Sequence, residues 1–377
     1  MRKFIALSII CLAGAGTAAQ SRDRAAAPSD AALLATGWNA VAAGQHAAAA
    51  RSAAQVLSRS PWSHAALSLQ IEALAQTDGM KALDAYEAWL GTRTVEDASV
   101  LEPVPRMIVL GAATGAEGDL RVVARRLLRE AGIPLPASAS REASDQLADA
   151  AARARTGDAA ALKRLEEVVT AGTMDPDLVA RALESSGPPA TPLLVAMLEK
   201  PAGPARAAAA AALGRGKAEE ARAALKKLMK DPDPMVRSSA AVALARMGDA
   251  EGQASVDRML QSEVPDLRLM AAEAWDGKPG PWTSAIAPLL ENRDGTIRLE
   301  AARLLAGVDP EAARKVLSAA VADANPAVRS EAARIMELTA SVGPGILDVA
   351  QARRLLREPD GLVRLHAAGV LLAAARK

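Results

Sequence analysis

The sequence predicts an all-α protein, built as an α-solenoid (an alpha-alpha superhelix) of stacked helical hairpins. The composition points this way, because half of the residues are hydrophobic although only 2% are aromatic, and alanine is abundant. Alanine has the highest helix propensity, and its small side chain lets helices pack closely. A second observation is an arginine that recurs at steps of 30 to 35 residues, a period typical of repeat arrays. These arginines are Arg206, Arg237, Arg268, Arg298, Arg329 and Arg364.

Each recurring arginine lies in a similar local sequence, which reads DPMVR at 233–237, NPAVR at 325–329 and DGLVR at 360–364. Four residues before the arginine, a polar side chain can accept hydrogen bonds from the free N–H groups of a helix start. Removal of such a cap costs about 1 kcal/mol. Proline often follows at the first helical position, where its missing N–H is not needed. The predicted capping residues are Asp233, Asp294, Asn325 and Asp360.

The recurring arginines have two interpretations, as ion pairs within the stack or as a row that binds anions. We favour the first, in which each arginine pairs with a turn carboxylate of its own or the adjacent repeat. Exposed pairs of this kind contribute only about 0–1 kcal/mol each, so the arginines would fix the register of the stack more than its stability. The predicted structural positions are Asp233, Arg237, Arg268, Asp294, Arg298, Asn325, Arg329, Asp360 and Arg364.

From about residue 142 to residue 377 this pattern resembles HEAT repeats, in the short form called PBS-lyase HEAT-like. We count about seven hairpins from Ser144 onward, followed by a single helix over 361–375. Two turns depart from the pattern, because Ala202 and Val264 stand where the capping residue is expected. The resemblance implies that the first helix of each hairpin forms the convex side. The second helices would then line a concave binding face, near 218–230, 250–261, 282–291, 311–322 and 345–357.

Basic side chains on these second helices are the candidate contacts for a protein or peptide partner with acidic groups. The alternative is a plain solvated surface. Trp282 is a further candidate, since it closes an unusual Pro/Gly loop that begins after Trp275, and tryptophan and arginine often anchor protein interfaces. The alternative for Trp282 is a core side chain that fills space between alanines. The candidate binding residues are Arg222, Lys226, Arg258, Trp282, Arg314, Lys315, Arg353 and Arg354.

The N-terminal part, at 30–132, carries a different repeat that resembles tetratricopeptide hairpins. Small residues recur at Ala49 and, 33 positions later, at Ala82, with Tyr86 at the larger position that follows. A third hairpin is less regular, because Pro103 and Pro105 fall at the start of its first helix. Residues 133–141 contain two prolines among small residues and are predicted to link the two arrays.

Residues 1–19 read as an export signal: a basic start, an apolar run too short to span a membrane, and a small-residue cleavage site. Cleavage after Ala19 removes Cys11, the single cysteine, so no disulfide is expected. We therefore expect a periplasmic or secreted bacterial protein. Without Arg2 and Lys3, 43 basic residues face 44 acidic ones, a balance that argues against nucleic acid as a partner. No later segment predicts membrane insertion.

Catalysis is not expected from the motifs. The three histidines, His46, His64 and His366, have no second metal ligand at helical spacing, and no phosphate-binding loop or nucleophile motif is present. No cofactor or metal is therefore predicted. The sequence favours a non-catalytic scaffold that binds a protein or peptide. A self-associating structural protein of the cell envelope is the alternative, and an unrecognised enzyme is the remote one.

Overall fold

A computed structural model describes residues 28–91, 95–135, 143–340 and 349–376. The described residues form α-helices, four short 3-10 helices and no strand, which confirms the predicted all-α fold. No helix in these four segments has both the length and the apolar character that a membrane crossing requires. The predicted export signal and residues 136–141 of the predicted linker lie outside the described residues.

The N-terminal array consists of helical hairpins. Ser63 and Asp78 cap helix starts with their side-chain oxygens, and Gly44 occupies a left-handed turn conformation between the first two helices (φ +71°). Ala49, Ala82 and Tyr86 are fully buried where paired helices meet. The helices are α1 (Asp30–Ala42), α2 (His46–Arg59), α3 (His64–Ala75), α4 (Gly79–Leu90), α5 (Ala98–Leu101), α6 (Pro103–Gly115) and α7 (Gly118–Glu130).

The third hairpin forms in spite of its prolines, because a break precedes them. The one-turn helix α5 ends at Leu101, and α6 starts afresh at Pro103. Pro103 and Pro105 thus lie in the first turn of α6, where a helix has free N–H groups and loses no hydrogen bond to proline.

The described residues of the second array form seven helical pairs and a final single helix, in agreement with the hairpins predicted from the repeat. The helices of the pairs are α8 (Ala143–Ala154), α9 (Ala159–Ala171), α10 (Pro176–Ser185), α11 (Thr191–Met197), α12 (Gly203–Arg215), α13 (Arg222–Leu228), α14 (Pro234–Arg246), α15 (Ala250–Leu260), α16 (Pro265–Ala272), α17 (Trp282–Ile286), α18 (Gly295–Leu305), α19 (Pro310–Ala320), α20 (Pro326–Ala340) and α21 (Val349–Leu355). The last helix is α22 (Gly361–Ala374).

The polar residue of each repeat turn caps the first helix of the next pair. Asp233 accepts a hydrogen bond from the N–H of Met235 at 2.8 Å, and Asp360 accepts from two backbone N–H groups. Asp294 and Asn325 make the equivalent bonds. Val264, which stands in place of a capping residue, makes no such side-chain bond.

The recurring arginines bond mainly to backbone carbonyls, which corrects the prediction that each pairs with a carboxylate. Nη1 of Arg237 donates to the carbonyls five and six residues earlier, at 2.9 and 2.7 Å. Arg206, Arg298, Arg329 and Arg364 repeat this geometry. The reason is that carbonyls at the end of a helix and in the turn after it have no partner within the helix. Carboxylate pairs occur in addition at two positions, from Arg206 to Asp231 and from Arg329 to Asp360.

Arg268 differs from the other arginines of the series. Its Nη1 donates to the carbonyl of Ala285 on α17, at 3.2 Å, instead of to the turn before its own helix. The difference coincides with the turn that lacks a capping residue at Val264.

The first helices of the second array lie on the inner side of its curve. Successive first helices, such as α12 and α14, pack extensively on each other, whereas successive second helices contact each other far less. In a two-layer array, the layer with the closer spacing lies on the inside of the curve. The second helices therefore form the outer layer, and the predicted concave face of second helices is wrong. The run of alanine in α12, buried over most of 205–212, permits this close spacing.

Gly214 is expected to be essential for this spacing. A Cβ atom at position 214 would lie 2.5 Å from the Cα atom of Ala243 on α14, and backbone cannot move aside without separating the helices. Gly214→Ala is expected to lower the free energy of unfolding by about 1–3 kcal/mol. Gly111 on α6 has no atom within 4 Å of such a Cβ, so Gly111→Ala should stabilise the fold by up to about 1 kcal/mol. Urea unfolding followed by circular dichroism measures whether each substitution lowers or raises the free energy of unfolding. If both substitutions raise it, the close contact between α12 and α14 is contradicted.

The two arrays share one hydrophobic core at a junction formed by the C-terminal helices and the N-terminal array. Buried side chains of α21 and α22 pack with those of α3 to α7. Gly369 makes the close approach of α22 and α7 possible, because a Cβ atom there would lie 2.6 Å from Leu127. At the other end of the second array, Asp145 on α8 pairs with Arg125 and Arg129 on α7, at 2.5 and 2.8 Å. Helix α7 therefore contacts both ends of the second array.

Candidate functional site

Two of the predicted binding residues are engaged in ion pairs within the fold. Arg222 pairs with Glu219 at 2.6 Å and with Asp249 at 3.4 Å, and Lys226 pairs with Asp249 at 2.8 Å. Asp249 is buried and also caps α15. The hydrogen bond from Lys226 is the main reason that the pKa of Asp249 is below its usual range. Arg222 and Lys226 therefore tie α13 to the turn that follows α14.

Trp282 is a core residue, so its prediction as a partner contact is wrong. Its side chain is fully buried in the cluster formed by α14 to α18, and its Nε1 donates to the carbonyl of Lys278 at 2.8 Å. The Pro/Gly loop that precedes it folds back under Trp275, since Gly280 lies against that ring. In a core made mostly of alanine and leucine, the large indole fills the space that the short helix α17 leaves.

Arg353 belongs to the junction between the arrays, which corrects its prediction as a contact for a partner. Its guanidinium lies between Glu87 and Glu96 of the N-terminal array, with Nη2 at 3.0 Å from Glu96. Its side chain is only 12% exposed. The neighbouring Arg354 is exposed and forms no ion pair among the described residues.

Three other predicted cations also remain exposed on the outer layer. Among the residues that the structure describes, Arg258 bonds only to the backbone carbonyl of Ala254, within its own helix α15. Arg314 and Lys315 lie exposed on α19. Within the described segments, none of the three has a carboxylate within ion-pair distance, in contrast to Arg222 and Lys226 on the same layer.

A groove of about 390 Å³ separates α19 from the 3-10 helix at 287–291. Its floor is apolar and includes Leu290 and Val316, together with alanines of α19. Four charged residues also line it: Glu291, Arg298, Lys315 and Asp323. None of these four side chains forms an ion pair, in the part of the chain that the structure describes. The groove thus combines apolar surface with charges of both signs that have no charged partner among the described residues.

A larger cavity of about 600 Å³ lies at the junction, next to His64 and Glu96. Its charged groups are already used within the fold. Glu96 holds Arg353, and Asp97 caps α5 with one oxygen while the other lies 3.5 Å from His64. Burial alone would raise the pKa of Asp97, but hydrogen bonds from Ser99 and Val100 lower it. This cavity therefore offers less unsatisfied charge to a ligand than the groove beside α19.

The inner layer carries a row of alternating charges that the sequence analysis missed. Arg215 pairs with Glu184 at 2.7 Å, and Arg246 pairs with Glu273 at 3.1 Å. Farther along, Arg303 also contacts Glu273, so this carboxylate joins two repeats. In each repeat, these side chains lie five or nine residues after the recurring arginine, or after the position that corresponds to it. The two positions are four residues apart, so they lie on the same face of a first helix. A comparison of every repeat position, instead of the turn alone, would have revealed the row.

The described residues contain no group of three or more His, Cys, Asp or Glu side chains that could hold a metal ion. The inner row is composed of arginine–carboxylate pairs, in which each carboxylate already accepts charge-assisted hydrogen bonds. Its chemistry is therefore that of a structural contact between neighbouring repeats.

Comparisons with known proteins identify the repeat in the centre of the second array. Residues 190–275 match the family model described as HEAT repeats, so the chain contains HEAT repeats over this segment. It includes three of the recurring arginines, Arg206, Arg237 and Arg268. Among solved structures, human deoxyhypusine hydroxylase in complex with glycerol is similar at 20% sequence identity and a TM-score of 0.34. The match covers 72% of this chain and 96% of that one. No curated protein sequence matches the chain.

Proposed function

We propose that this HEAT-repeat protein is an exported, non-catalytic scaffold that binds a protein or peptide partner through its outer layer of second helices. The observation that carries the proposal is the distribution of charge. On the inner layer Arg215 and Arg246 pair with carboxylates of neighbouring repeats, whereas on the outer layer Arg314, Lys315 and Arg354 are exposed and have no such partner among the described residues. An exposed charge without a partner is solvated by water and does not destabilise the fold. When a partner with complementary charge binds, such charges raise the association rate and the specificity of binding.

The rigidity of the fold also supports a binding role. Because α7 contacts both ends of the second array, the outer surface is held in one shape, and little ordering free energy is lost on binding. The alternative is a self-associating envelope protein, which would use the same surface to contact further copies of the chain. Export is part of the proposal and rests on the predicted signal at 1–19.

Site-specific photo-crosslinking in intact cells tests the proposal. A photoreactive residue at Lys315, beside the groove, is expected to give a crosslinked product with a different protein. The same residue at Arg181, an exposed cation on α10 in the inner layer, serves as the control and should give none. The product should fractionate with the periplasm or medium and carry an N terminus at Gln20. Crosslinks to the chain itself would favour self-association, and identical products from both positions would contradict a specific surface.

A further inference from the structure

The ion pair between Arg206 and Asp231 shows how a recurring arginine of this fold binds a carboxylate. Nη1 of Arg206 donates to the carbonyls of Lys200 and Pro201, at 2.9 and 2.7 Å. This fixes the plane of the guanidinium. Its Nε and Nη2 then donate to both oxygens of Asp231, at 2.9 and 2.8 Å. These bonds hold the pKa of Asp231 below its usual range. The two residues are separated by 25 positions and lie in successive repeats.

Arg298 has the same anchoring but lacks the carboxylate. Its Nη1 donates to the carbonyls of Asn292 and Arg293, at 2.7 and 3.0 Å. The residue 25 positions later is again an aspartate, Asp323. Here, however, the two side chains form no ion pair, and both line the groove beside α19 instead. The turn bond is the same in both repeats, because Oδ1 of Asp323 accepts the N–H of Asn325 at 2.8 Å and Oδ1 of Asp231 accepts the N–H of Asp233 at 2.9 Å. The two repeats therefore differ in the arginine–aspartate pair and not in the turn.

We propose that this groove binds a partner peptide that presents an acidic side chain next to an apolar one. The inference rests on the proposed function and names the chemistry of the partner. The acidic group would take the place at Arg298 that Asp231 takes at Arg206. The apolar side chain would cover Leu290 and Val316, and Lys315 at the rim adds a second positive charge. A bidentate bond between a carboxylate and arginine combines charge with a fixed direction, so it selects acidic residues over neutral ones.

The remaining charges of the groove restrict the sequence of the peptide further. Glu291 and Asp323 lie at the same groove and carry no ion-pair partner in the described segments. A second acidic residue in the peptide would be repelled by them, since like charges at close range oppose binding. The expected ligand therefore has one acidic residue beside an apolar residue, with neutral or basic neighbours.

Selection of peptides from a random library displayed on phage, with the full chain immobilised, tests the inference. Enrichment of Asp or Glu next to Leu, Ile, Val or Phe is expected. The affinity of a selected synthetic peptide is then compared between two substitutions that each add one carboxylate. Ala319→Asp places it inside the groove, and Ala322→Asp places it in the exposed turn just beyond. Loss of one charge-assisted contact corresponds to about tenfold in affinity, so Ala319→Asp should weaken binding at least about tenfold while Ala322→Asp leaves it unchanged.

Three results would overturn the inference: no selected binders, enrichment of basic instead of acidic residues, or equal effects of the two substitutions. Because the selection uses synthetic peptides, it does not depend on the partner in the cell. If the crosslink at Lys315 fails and the selection succeeds, the proposed function is wrong but the groove does bind acidic–apolar peptides. If the crosslink succeeds and the selection fails, the chain binds a partner, but not through such a peptide.

Discussion

Arg353→Glu is expected to lower the free energy of unfolding by about 3 kcal/mol and to loosen the junction between the two arrays. Arg353 is the shared partner of Glu87 and Glu96, and Glu96 is itself nearly buried. Reversal of the charge would place three carboxylates together where water has little access. Removal of one partner from a buried pair typically costs several kcal/mol, because the remaining charge has lost its compensation. The measurement is urea unfolding followed by circular dichroism.

Arg354→Glu provides the matched control, because it changes the same charge at the next position. Arg354 is exposed and has no ion-pair partner in the described part of the chain, so its substitution should alter stability by less than about 0.5 kcal/mol. Limited proteolysis adds a local readout, since only the Arg353 variant should be cut faster in the junction helices. Equal unfolding curves for the two variants would show that the junction does not depend on Arg353.

The junction illustrates which features the sequence could not predict. Arg353 and Glu87 are separated by 266 positions, and neither belongs to the repeating turn. Periodicity identifies positions that recur, whereas this contact occurs once and joins two different repeat types. The burial of Trp282 could not be predicted either, because a tryptophan after a Pro/Gly loop can pack in a core or contact a partner.

The features that could be predicted are the local ones. The caps at Asp233 and Asp360 followed from residue type and spacing, since a short polar side chain before a helix has few other roles. The direction of curvature did not follow, because it depends on which layer packs more closely. The alanines and Gly214 of α12 carry that information, but the resemblance to a known repeat pointed to the opposite layer.

The recurring arginines show why charge alone does not predict the partner of a side chain. Their recurrence predicted a structural role in the turns, and the sequence suggested carboxylates as the partners. The structure places backbone carbonyls at all six positions, and at five of them, such as Arg237 and Arg364, these carbonyls belong to the preceding turn. Carbonyl groups do not appear in a sequence as a residue type, so this bond could be deduced only by asking where the free carbonyls of each turn find donors.

Glu337→Gln is expected to lower the free energy of unfolding by about 3 kcal/mol at neutral pH. Glu337 on α20 accepts two hydrogen bonds from Arg126 on α7, both at 2.7 Å, and lies 2.7 Å from Nδ1 of His366 on α22. Its side chain is 6% exposed. A neutral amide would remove the buried carboxylate between Arg126 and His366 and leave Arg126 with only the exposed carboxylate of Glu130, and the loss of one partner from a buried pair is costly. Glu331→Gln is the control on the same helix, because Glu331 pairs with Arg334 at the surface and should matter by less than about 1 kcal/mol.

The stabilisation from Glu337 should also depend on pH in one direction. Burial alone would raise its pKa, but the hydrogen bonds from Arg126 and His366 lower it below the ordinary value of about 4.3. A carboxylate whose pKa is lower in the folded state stabilises that state above its unfolded pKa. This contribution is lost as the pH falls through the folded pKa. The stability difference between the natural protein and Glu337→Gln should thus shrink as the pH falls below about 4.3. A difference that stays the same or grows below this pH would contradict the lowered pKa and the ionised pair at the junction.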